Sequence, residues 1–243
     1  MSKGYRERVY ARYYSTTFSA ANPADDDAYR SAARILRQIV LPWLPADRGA
    51  AVLDVACGIG FTVAMLRAAG YAAVTGIDLS PEQVAVARGR GLPVLEADAF
   101  AHLAERPGAY DAILAFDFIE HLDRDELLRF LDLARAALRP RGRLLVKTPN
   151  ANSPLAARMR WLDLTHECIF TDRSLRAAFL TCGLTPVAVT GERWRPFTPG
   201  GWVRAVVAAL LHALWRLYLV ADLGAEGRGL PVEFDLIGVA ERP

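Results

Sequence analysis

The sequence predicts an α/β fold in which a largely parallel sheet is connected by helical crossovers. After Pro45, short β-branched runs alternate with helical patterns, which is typical of parallel sheets. Capping residues mark the start of several of the intervening helices. At 243 residues the chain is long enough for one large domain with a sizeable core.

The elements follow in a regular order. Apolar residues recur at helical spacing from Asp25 to Leu44, and the acidic stretch "PADD" begins that helix. Seven apolar runs then predict strands: AAVLDVA (50–56), AAVTGID (72–78), LPVLEAD (92–98), YDAILAF (110–116), GRLLVKT (142–148), LTPVAVT (184–190) and EFDLIGVA (233–240).

Local signals set the helix boundaries between these strands. Three helix starts are marked by capping residues, which are Ser80 with Pro81 and Gln83, Asp123 with Glu126, and Thr171. Gly183 marks the end of the helix that Thr171 begins. We therefore expect one domain over 1–243, with a helical region at 1–45, a core at 46–190, a helical insertion at 191–230 and a last strand at 231–243.

Charge and cysteine content exclude several classes. The net charge is +2, from 29 basic and 27 acidic residues, so no global field attracts nucleic acid. Cys57, Cys168 and Cys182 lack zinc-site spacing and indicate reduced thiols. The N-terminal stretch lacks the apolar core of a signal peptide, so we expect a cytoplasmic protein.

The stretch "VLDVACGIGF" (52–61) places an acid and a glycine turn after the first strand. In a dinucleotide fingerprint beginning at Gly58 and Gly60, the third glycine would fall on Val63, which argues against a nicotinamide cofactor. Asp54 would repel a pyrophosphate but suits an ammonium or sulfonium cation. The turn therefore indicates a cationic ligand.

Two further acids end the next two strands. Asp78 follows the turn by about twenty residues, where an acidic side chain can bind both hydroxyls of a ribose. Asp98 ends the third strand and can accept a hydrogen bond from an exocyclic amine such as that of adenine. Three successive strands thus end in carboxylates, as a nucleoside carrying a positive charge requires.

With these residues, the chain resembles the class I S-adenosylmethionine-dependent methyltransferases from about Val52 to Gly183, with the closing strand near Phe234. "AFDFIEHL" (115–122) and "LRPRGRLLVKTPN" (138–150) resemble the family's fourth- and fifth-strand motifs. The resemblance implies a Rossmann-like three-layer α/β/α sandwich with seven mostly parallel strands and an antiparallel last strand. Ala56 departs from the family's usual first glycine.

The resemblance also implies the cofactor, S-adenosylmethionine, and the residues that bind it. The segment Asp54–Gly60 corresponds to the site of the methionine part, the end of the second strand to that of ribose, and the end of the third to that of adenine. The expected set is Asp54, Ala56, Cys57, Gly58, Gly60, Asp78, Leu79, Asp98, Ala99, Phe116 and Asp117.

Methyl transfer to a hydroxyl needs alignment and a group that removes the proton. His166, in a D-x-T-H segment that resembles the sugar and lipid-precursor branch of the family, is the expected base, with His121 as the alternative and Asp163 orienting His166. Both histidines also fit local packing roles. A cation bound by Asp163, His166 and Glu167 is an alternative, but we expect no metal.

A long apolar segment, Trp202–Ala221, interrupts the last two strands. Arg204, His212 and Arg216 form one polar stripe on a helix there. Core packing, a homodimer interface and a helix lying on the inner face of the membrane are the alternatives, whereas crossing a membrane is disfavoured by the arginines. Tyrosines in "YRERVYARYY" could stack on a sugar, cover the cofactor or belong to a half-packed helix.

The sequence therefore predicts S-adenosylmethionine-dependent O-methylation, with a sugar hydroxyl of a glycan or lipid-linked glycan in polysaccharide biosynthesis as the acceptor. A phenolic quinone precursor or a small natural product is the alternative acceptor. An inactive nucleotide-binding module is the alternative of another class, and no nucleic-acid partner is expected.

Overall fold

The computed structural model describes residues 4–19 and 23–243. Its sheet has seven strands in the order β3-β2-β1-β4-β5-β7-β6. Their bounds are β1 (Val52–Val55), β2 (Val74–Asp78), β3 (Val94–Glu96), β4 (Tyr110–Phe116), β5 (Leu138–Pro149), β6 (Thr185–Gly191) and β7 (Asp235–Glu241).

The helices of the described residues alternate with these strands. They are α1 (Gly4–Tyr10), α2 (Asp26–Val40), α3 (Phe61–Ala68), α4 (Pro81–Gly89), α5 (Ala99–Ala104), α6 (Arg124–Ala137), α7 (Ala156–Leu162), α8 (Asp172–Thr181) and α9 (Pro199–Leu223). A π-helical turn at Tyr14–Phe18 follows α1.

The sheet is mixed, as the sequence predicts. β1 pairs in parallel with β2 and β4, while β7 runs antiparallel between β5 and β6. The carboxyl ends of β1 to β5 therefore meet at one edge, where ligands of open α/β sheets bind.

Two apolar cores cover the two faces of the sheet. One core packs α5, α6 and α8 against the sheet and includes Leu103, Phe130 and Phe179. The other packs α2, α3 and α4 and includes Val40, Leu66 and Val84. This is the expected three-layer sandwich.

The predicted helix boundaries are largely as the local signals indicate. Asp123 and Glu126 form a reciprocal capping box at α6, and Thr171 caps α8. Ser80 occupies the N-cap position of α4 but makes no side-chain capping hydrogen bond. The helix expected to reach Leu44 ends at Val40 and continues as a 3₁₀ turn, because Pro42 cannot extend it.

The helix between β6 and β7, α9, does not pack into either core. None of the 25 residues of α9 is buried. The core-packing alternative for this segment is therefore wrong.

We predict that two glycine substitutions have opposite effects on stability. Gly60 has φ 85°, and an added Cβ would lie 2.7 Å from Leu92 Cδ1, so Gly60→Ala should lower the free energy of unfolding by about 1–3 kcal/mol. Gly89 ends α4 with nothing within 4 Å of an added Cβ, so Gly89→Ala should be neutral or stabilise by up to about 1 kcal/mol. Urea unfolding measures both, and equal effects would contradict the assigned conformation of Gly60.

Candidate active site

A large cavity lies at the carboxyl edge of the sheet. Its volume is about 1600 Å³, larger than the roughly 300–1,000 Å³ of a typical small-molecule site. It therefore has room for a cofactor and an acceptor together. Of the expected cofactor residues, all except Gly60 line it: Asp54, Ala56, Cys57, Gly58, Asp78, Leu79, Asp98, Ala99, Phe116 and Asp117.

The turn after β1 is built from left-handed backbone conformations. Ala56 has φ 53°, Gly58 has φ 56° and Gly60 has φ 85°. Gly60 is buried beneath the turn and begins α3, so its role is to shape the loop rather than to line the cavity. Ala56 adopts the conformation that glycine takes without steric cost, which explains why this position favours glycine.

Asp54 is a buried carboxylate with an unpaired oxygen. Its side chain is 2% exposed, and Oδ2 has no hydrogen-bond partner among the described residues. Burial, with a smaller effect from Asp78, raises the pKa of Asp54 to about 8. An ammonium group bound here would supply the missing partner, so the residue fits the methionine end of S-adenosylmethionine.

Asp78 is held in place by the backbone. Its Oδ2 accepts from Gly58 N–H and its Oδ1 from Ser80 N–H, each at 2.8 Å. Each oxygen keeps a second lone pair for a ligand hydroxyl. Burial raises the pKa of Asp78, while these amide bonds oppose the shift. The neighbouring Leu79 is half exposed and adds an apolar wall to the cavity.

Asp98 combines two roles in one carboxylate. Oδ1 accepts from Ala101 N–H at 2.9 Å and caps α5, where Ala99 is the first helical residue. Both residues line the cavity. The cap fixes the carboxylate at the rim while leaving Oδ2 for a ligand amine.

The end of β4 carries an ion cluster that the sequence analysis missed. Asp117 has φ 51°, and its carboxylate lies 2.8 Å from Lys147 Nζ, which is 3.7 Å from Asp235. Burial lowers the pKa of Lys147, but Asp117 and Asp235 outweigh this effect and raise it. Burial also raises the pKa of Asp235 to about 7. A lysine near the end of a buried strand was the available signal.

The structure brings together the two histidines expected near the acceptor. Their ring centroids are 4.9 Å apart, although they are separated by 45 positions in sequence. His166 Nδ1 lies 2.7 Å from the carbonyl of Met159, which can only accept, so this nitrogen carries the proton. Nε2 is the ring nitrogen that Met159 leaves available.

His121 has the same tautomer through a different partner. Thr165 Oγ1 donates to Asp163 at 2.6 Å and therefore accepts from His121 Nδ1 at 2.7 Å. Burial, helped by His166, lowers the pKa of His121 to about 4, so the ring is neutral near pH 7. Two imidazoles, each held through its Nδ1, thus border one cavity.

Asp163 does not orient His166, contrary to the expectation. Its carboxylate accepts from Thr165 and from the Tyr13 hydroxyl, the latter at 2.6 Å. The DLT turn directs the carboxylate back onto Thr165, so Asp163 positions His121 through Thr165. The alternative of a cation bound by Asp163, His166 and Glu167 also fails, because Glu167 is directed to Arg6.

The N-terminal tyrosines take part in the cavity wall. Tyr10 and Tyr13 line it, and Tyr13 is anchored on Asp163. Arg6 of α1 lies 2.8 Å from Glu126 and also donates to the carbonyl of His121. The first helix is thereby attached to the acceptor side of the site, which excludes a purely solvated helix.

Glu120 is the main residue that sequence reasoning missed. It follows the quoted β4 motif, is 1% exposed, and accepts from Thr148 Oγ1 at 3.1 Å. Burial, with a contribution from Asp117, raises its pKa. The available signal was its place beside His121 in "IEHL", where a buried acid has no packing function.

Residues 27–189 match the family described as "Methyltransferase domain". The chain belongs to this family. The match confirms the predicted class I methyltransferase fold and S-adenosylmethionine as its cofactor. The unpaired oxygen of Asp54 and the positive-φ turn are the observations in this structure that fit that cofactor.

One curated relative is a ubiquinone biosynthesis O-methyltransferase from Xylella fastidiosa (strain M23), 34% identical over 156 residues. The match covers 62% of this chain and 62% of that relative, less than two thirds of its length. The match to this relative therefore supports a proposal for the acceptor of this chain but does not show it.

Solved structures agree in fold. A SAM-dependent methyltransferase from Archaeoglobus fulgidus superposes with a TM-score of 0.68 at 19% identity, covering 94% of this chain and 99% of that chain. The cyclase SpnF superposes with a TM-score of 0.61 at 22% identity, covering 98% and 95%. Because a cyclase shares the architecture, fold similarity alone does not establish a reaction.

We predict that Asp54→Asn separates stability from cofactor binding. The native state holds a proton between about pH 4 and 8 that the unfolded state releases, so Asp54 makes the ligand-free protein less stable as pH rises through this range. The variant should unfold at an equal or higher temperature, and its advantage should grow toward pH 8. Its affinity for S-adenosylmethionine should fall about 10- to 100-fold, because a charge-assisted bond is lost.

Calorimetry in buffers of different ionisation enthalpy tests the same assignment. Cofactor binding to the wild type at pH 7 should release a proton, whereas binding to Asp54→Asn should not. Asp47→Asn is the control, because Asp47 is exposed away from the cavity. Unchanged affinity in Asp54→Asn would remove the assigned role.

Proposed function

We propose that the protein transfers the methyl group of S-adenosylmethionine to the oxygen of an aromatic hydroxyl. The observation that carries this is the pairing of two imidazoles, His121 and His166, in the same cavity as the Asp54 side chain with its unpaired oxygen. One end of the cavity suits the charged cofactor, and the other suits a hydroxyl that must lose a proton.

At the cofactor end, the chain supplies binding and orientation. Asp54 would hold the ammonium group, Asp78 the ribose hydroxyls and Asp98 the adenine amine. The bound cofactor supplies an electrophilic methyl group. Aligning it with an acceptor oxygen and excluding water accounts for most of the acceleration expected of such a displacement.

At the acceptor end, the hydroxyl passes its proton to Nε2 of His166, the expected base, or to Nε2 of His121, the alternative. Its oxygen forms the new bond to carbon as the carbon–sulfur bond breaks. The electron pair of that bond stays on sulfur. The groups next to the acceptor are the Nε2 atoms of His121 and His166 and the carboxylate of Glu120. Tyr13 and Asp163 hold His121 indirectly through Thr165.

The lining of the cavity supports an aromatic acceptor. Aromatic side chains border it on several elements: Tyr10, Tyr13, Phe61, Phe100, Phe116, Phe118, Trp194 and Phe234. The name of the curated relative also refers to an O-methyltransferase of quinone biosynthesis. Both observations favour the phenolic quinone precursor, the alternative acceptor, over the glycan, which stays a prediction.

A second proposal concerns α9, whose outward face we propose lies on an anionic membrane surface. The outward residues form one aliphatic face, from 50% exposed at Val207 to 66% at Leu217. The helix is long and apolar enough to span a membrane. Its members are Val203, Val206, Val207, Leu210, Leu211, Leu214, Leu217 and Tyr218.

Of the polar stripe predicted on this helix, Arg216 is turned toward the domain, whereas Arg204 is exposed. Arg216 lies 2.8 Å from Glu233, and Trp215 Nε1 donates to the carbonyl of Asn152 at 2.9 Å. These contacts fix the helix along the domain, so its free apolar face is available to lie on a bilayer rather than to cross it.

Charge favours a bilayer over a second copy of the chain. Four arginines and no acidic residue occur from 193 to 221. Arg193 and Arg216 pair with Glu233, which leaves Arg195 and Arg204, both exposed, as the basic border. A twofold partner would bring the same basic border, whereas anionic headgroups complement it. Exposed Trp161 in the last turn of α7 and Leu164 after that helix add apolar surface near Leu162, which lines the cavity.

We predict methylation of catechols rather than sugars. With methyl-labelled cofactor, an alkylcatechol should gain one methyl group on oxygen, detected by mass spectrometry, while a monosaccharide and a lipid-linked sugar should not. An inactive binding module would bind the cofactor without turnover of any acceptor. Methylation of the sugars alone would support a glycan acceptor and contradict a phenolic acceptor.

We predict sedimentation of the full chain with phosphatidylglycerol vesicles and little with phosphatidylcholine vesicles. Leu210→Glu with Leu214→Glu should abolish it, because two carboxylates would enter the apolar face. Leu180→Glu, at an exposed leucine of α8, is the matched control and should sediment as the wild type does. A concentration-dependent dimer that the double variant disrupts, without vesicle binding, would assign the face to a second copy instead.

A further inference from the structure

We infer that Glu192 and Asp235 form a subsite for a hydrogen-bond-donating substituent of the acceptor, with an ammonium group preferred over a hydroxyl. Glu192 follows β6 and Asp235 begins β7, and both side chains line the cavity. The subsite deepens the proposed function and rests on it for the oxygen that is methylated. It concerns another group of the same acceptor, which decides the class of substrate that the cavity selects.

The antiparallel pairing of β6 and β7 places the two acids opposite each other. Gly191 pairs with Leu236, so Glu192 stands opposite Asp235, and Glu192 N–H donates to the carbonyl of Asp235 at 2.8 Å. Residues directly opposite each other have their side chains on the same face, with Cβ atoms about 4.5–5.5 Å apart. Like charges in such a pair are destabilising. The position therefore favours a cationic or hydrogen-bond-donating ligand between the carboxyl groups.

Asp235 has an oxygen that no donor reaches. The residue is 7% exposed, and Oδ1 has no hydrogen-bond partner among the residues that the structure describes. Lys147 Nζ lies 3.7 Å from Oδ2 but only 2.8 Å from Asp117. Burial raises the pKa of Asp235 to about 7, and Lys147 opposes this shift while Asp117 and Glu192 add to it. A buried carboxyl oxygen without a donor is costly, so a ligand that donates to it would be stabilised.

The nearest arginine is committed to another acid. Arg193 lies 2.7 Å from Glu233, which Arg216 also contacts at 2.8 Å. Within residues 4–19 and 23–243, by contrast, Lys147 is the only cation that pairs with Glu192 or Asp235, and it divides its charge between Asp235 and Asp117. This end of the cavity therefore carries excess negative charge, which favours a cationic substituent and disfavours a carboxylate.

Aromatic side chains flank both acids. Phe234 precedes Asp235, Trp194 follows Glu192 by two residues, and both aromatic residues line the cavity. Trp194 stacks on Phe197, with ring centroids 6.0 Å apart. Aromatic faces attract ammonium cations. The acids and their aromatic neighbours thus suit an arylalkyl amine, whereas a hydroxyl of a neutral acceptor would make a weaker hydrogen bond in the same place.

We predict selective binding of an amine that has no hydroxyl to methylate. The full chain, saturated with S-adenosylhomocysteine, is titrated calorimetrically at pH 8 with 2-phenylethylamine, 2-phenylethanol or phenylacetate. The amine should bind at least about 10-fold more tightly than the alcohol, because hydrogen bonds to charged groups are stronger than neutral ones. Phenylacetate should not bind detectably.

Asp235→Asn and Glu192→Gln should each lower the preference for the amine over the alcohol about 10-fold, because each removes one carboxylate from the subsite. Glu241→Gln, at the far end of β7 and outside the cavity, is the matched control and should bind as the wild type does. The affinity of each variant for S-adenosylhomocysteine checks that it is folded. Equal affinity for amine and alcohol in the wild type, including no detectable binding of either, would overturn the subsite. An unchanged preference in both cavity variants would do the same.

Methylation of the 3,4-dihydroxy derivatives of the three probes separates the subsite from the proposed function. The amine derivative should have the lowest KM and the carboxylate derivative the highest. Methylation of these catechols without that order would overturn the subsite and leave the phenolic acceptor standing. Preferential amine binding without methylation of any catechol would leave the subsite standing and defeat the phenolic acceptor. Methyl transfer to the amine nitrogen would place the amine at the sulfonium and overturn the subsite.

Discussion

The site depends on carboxylates that the fold removes from water at the carboxyl edge of a parallel sheet. Asp54 keeps one oxygen without a partner among the described residues, and Asp78 accepts from the amides of Gly58 in the glycine turn and of Ser80 after β2. Neither arrangement favours the ligand-free protein, because burial disfavours the charged form of each group. A cationic nucleoside bound in the cavity would offset this free-energy cost of burial. We therefore propose that the carboxylates that weaken the ligand-free fold also select the cofactor.

A chain of hydrogen bonds connects the N-terminal segment to His121 at the acceptor end of the cavity. Tyr13 donates to Asp163, Asp163 accepts from Thr165, and Thr165 accepts from His121. Each step fixes a proton on a stated atom, and the result is an unprotonated Nε2 that faces the cavity. Arg6 adds a second attachment of α1 to the same histidine through its carbonyl. The first helix therefore stabilises the arrangement of the site although it lies outside the family match, which begins at residue 27.

The long apolar helix α9 is exposed, whereas most apolar helices pack into a core. A helix that is apolar around most of its circumference usually packs into a core, but this helix uses its few polar residues to attach to the domain and leaves its aliphatic face outside. Glu233, which pairs with Arg216 of α9, lies just before β7, the antiparallel strand between β5 and β6. The insertion is thus connected to the sheet by ion pairs rather than by apolar packing.

The sequence by itself determined the seven strands, most of the caps and the three acids that end successive strands, because period-two and helical patterns and capping chemistry are local. The order of those acids also carries the resemblance to class I methyltransferases that implied the cofactor, since this order needs no knowledge of packing. It misassigned Asp163, and it overlooked Glu120 and Lys147, because these depend on contacts between β4, β5 and the 163–166 turn, which are far apart in the chain. The direction in which α9 turns its polar stripe was decided only by tertiary structure, since Arg216 finds its partner on the segment before β7. The acceptor end of the site was likewise assembled by folding, because His121 and His166 meet only when the turn after α7 packs over the end of β4.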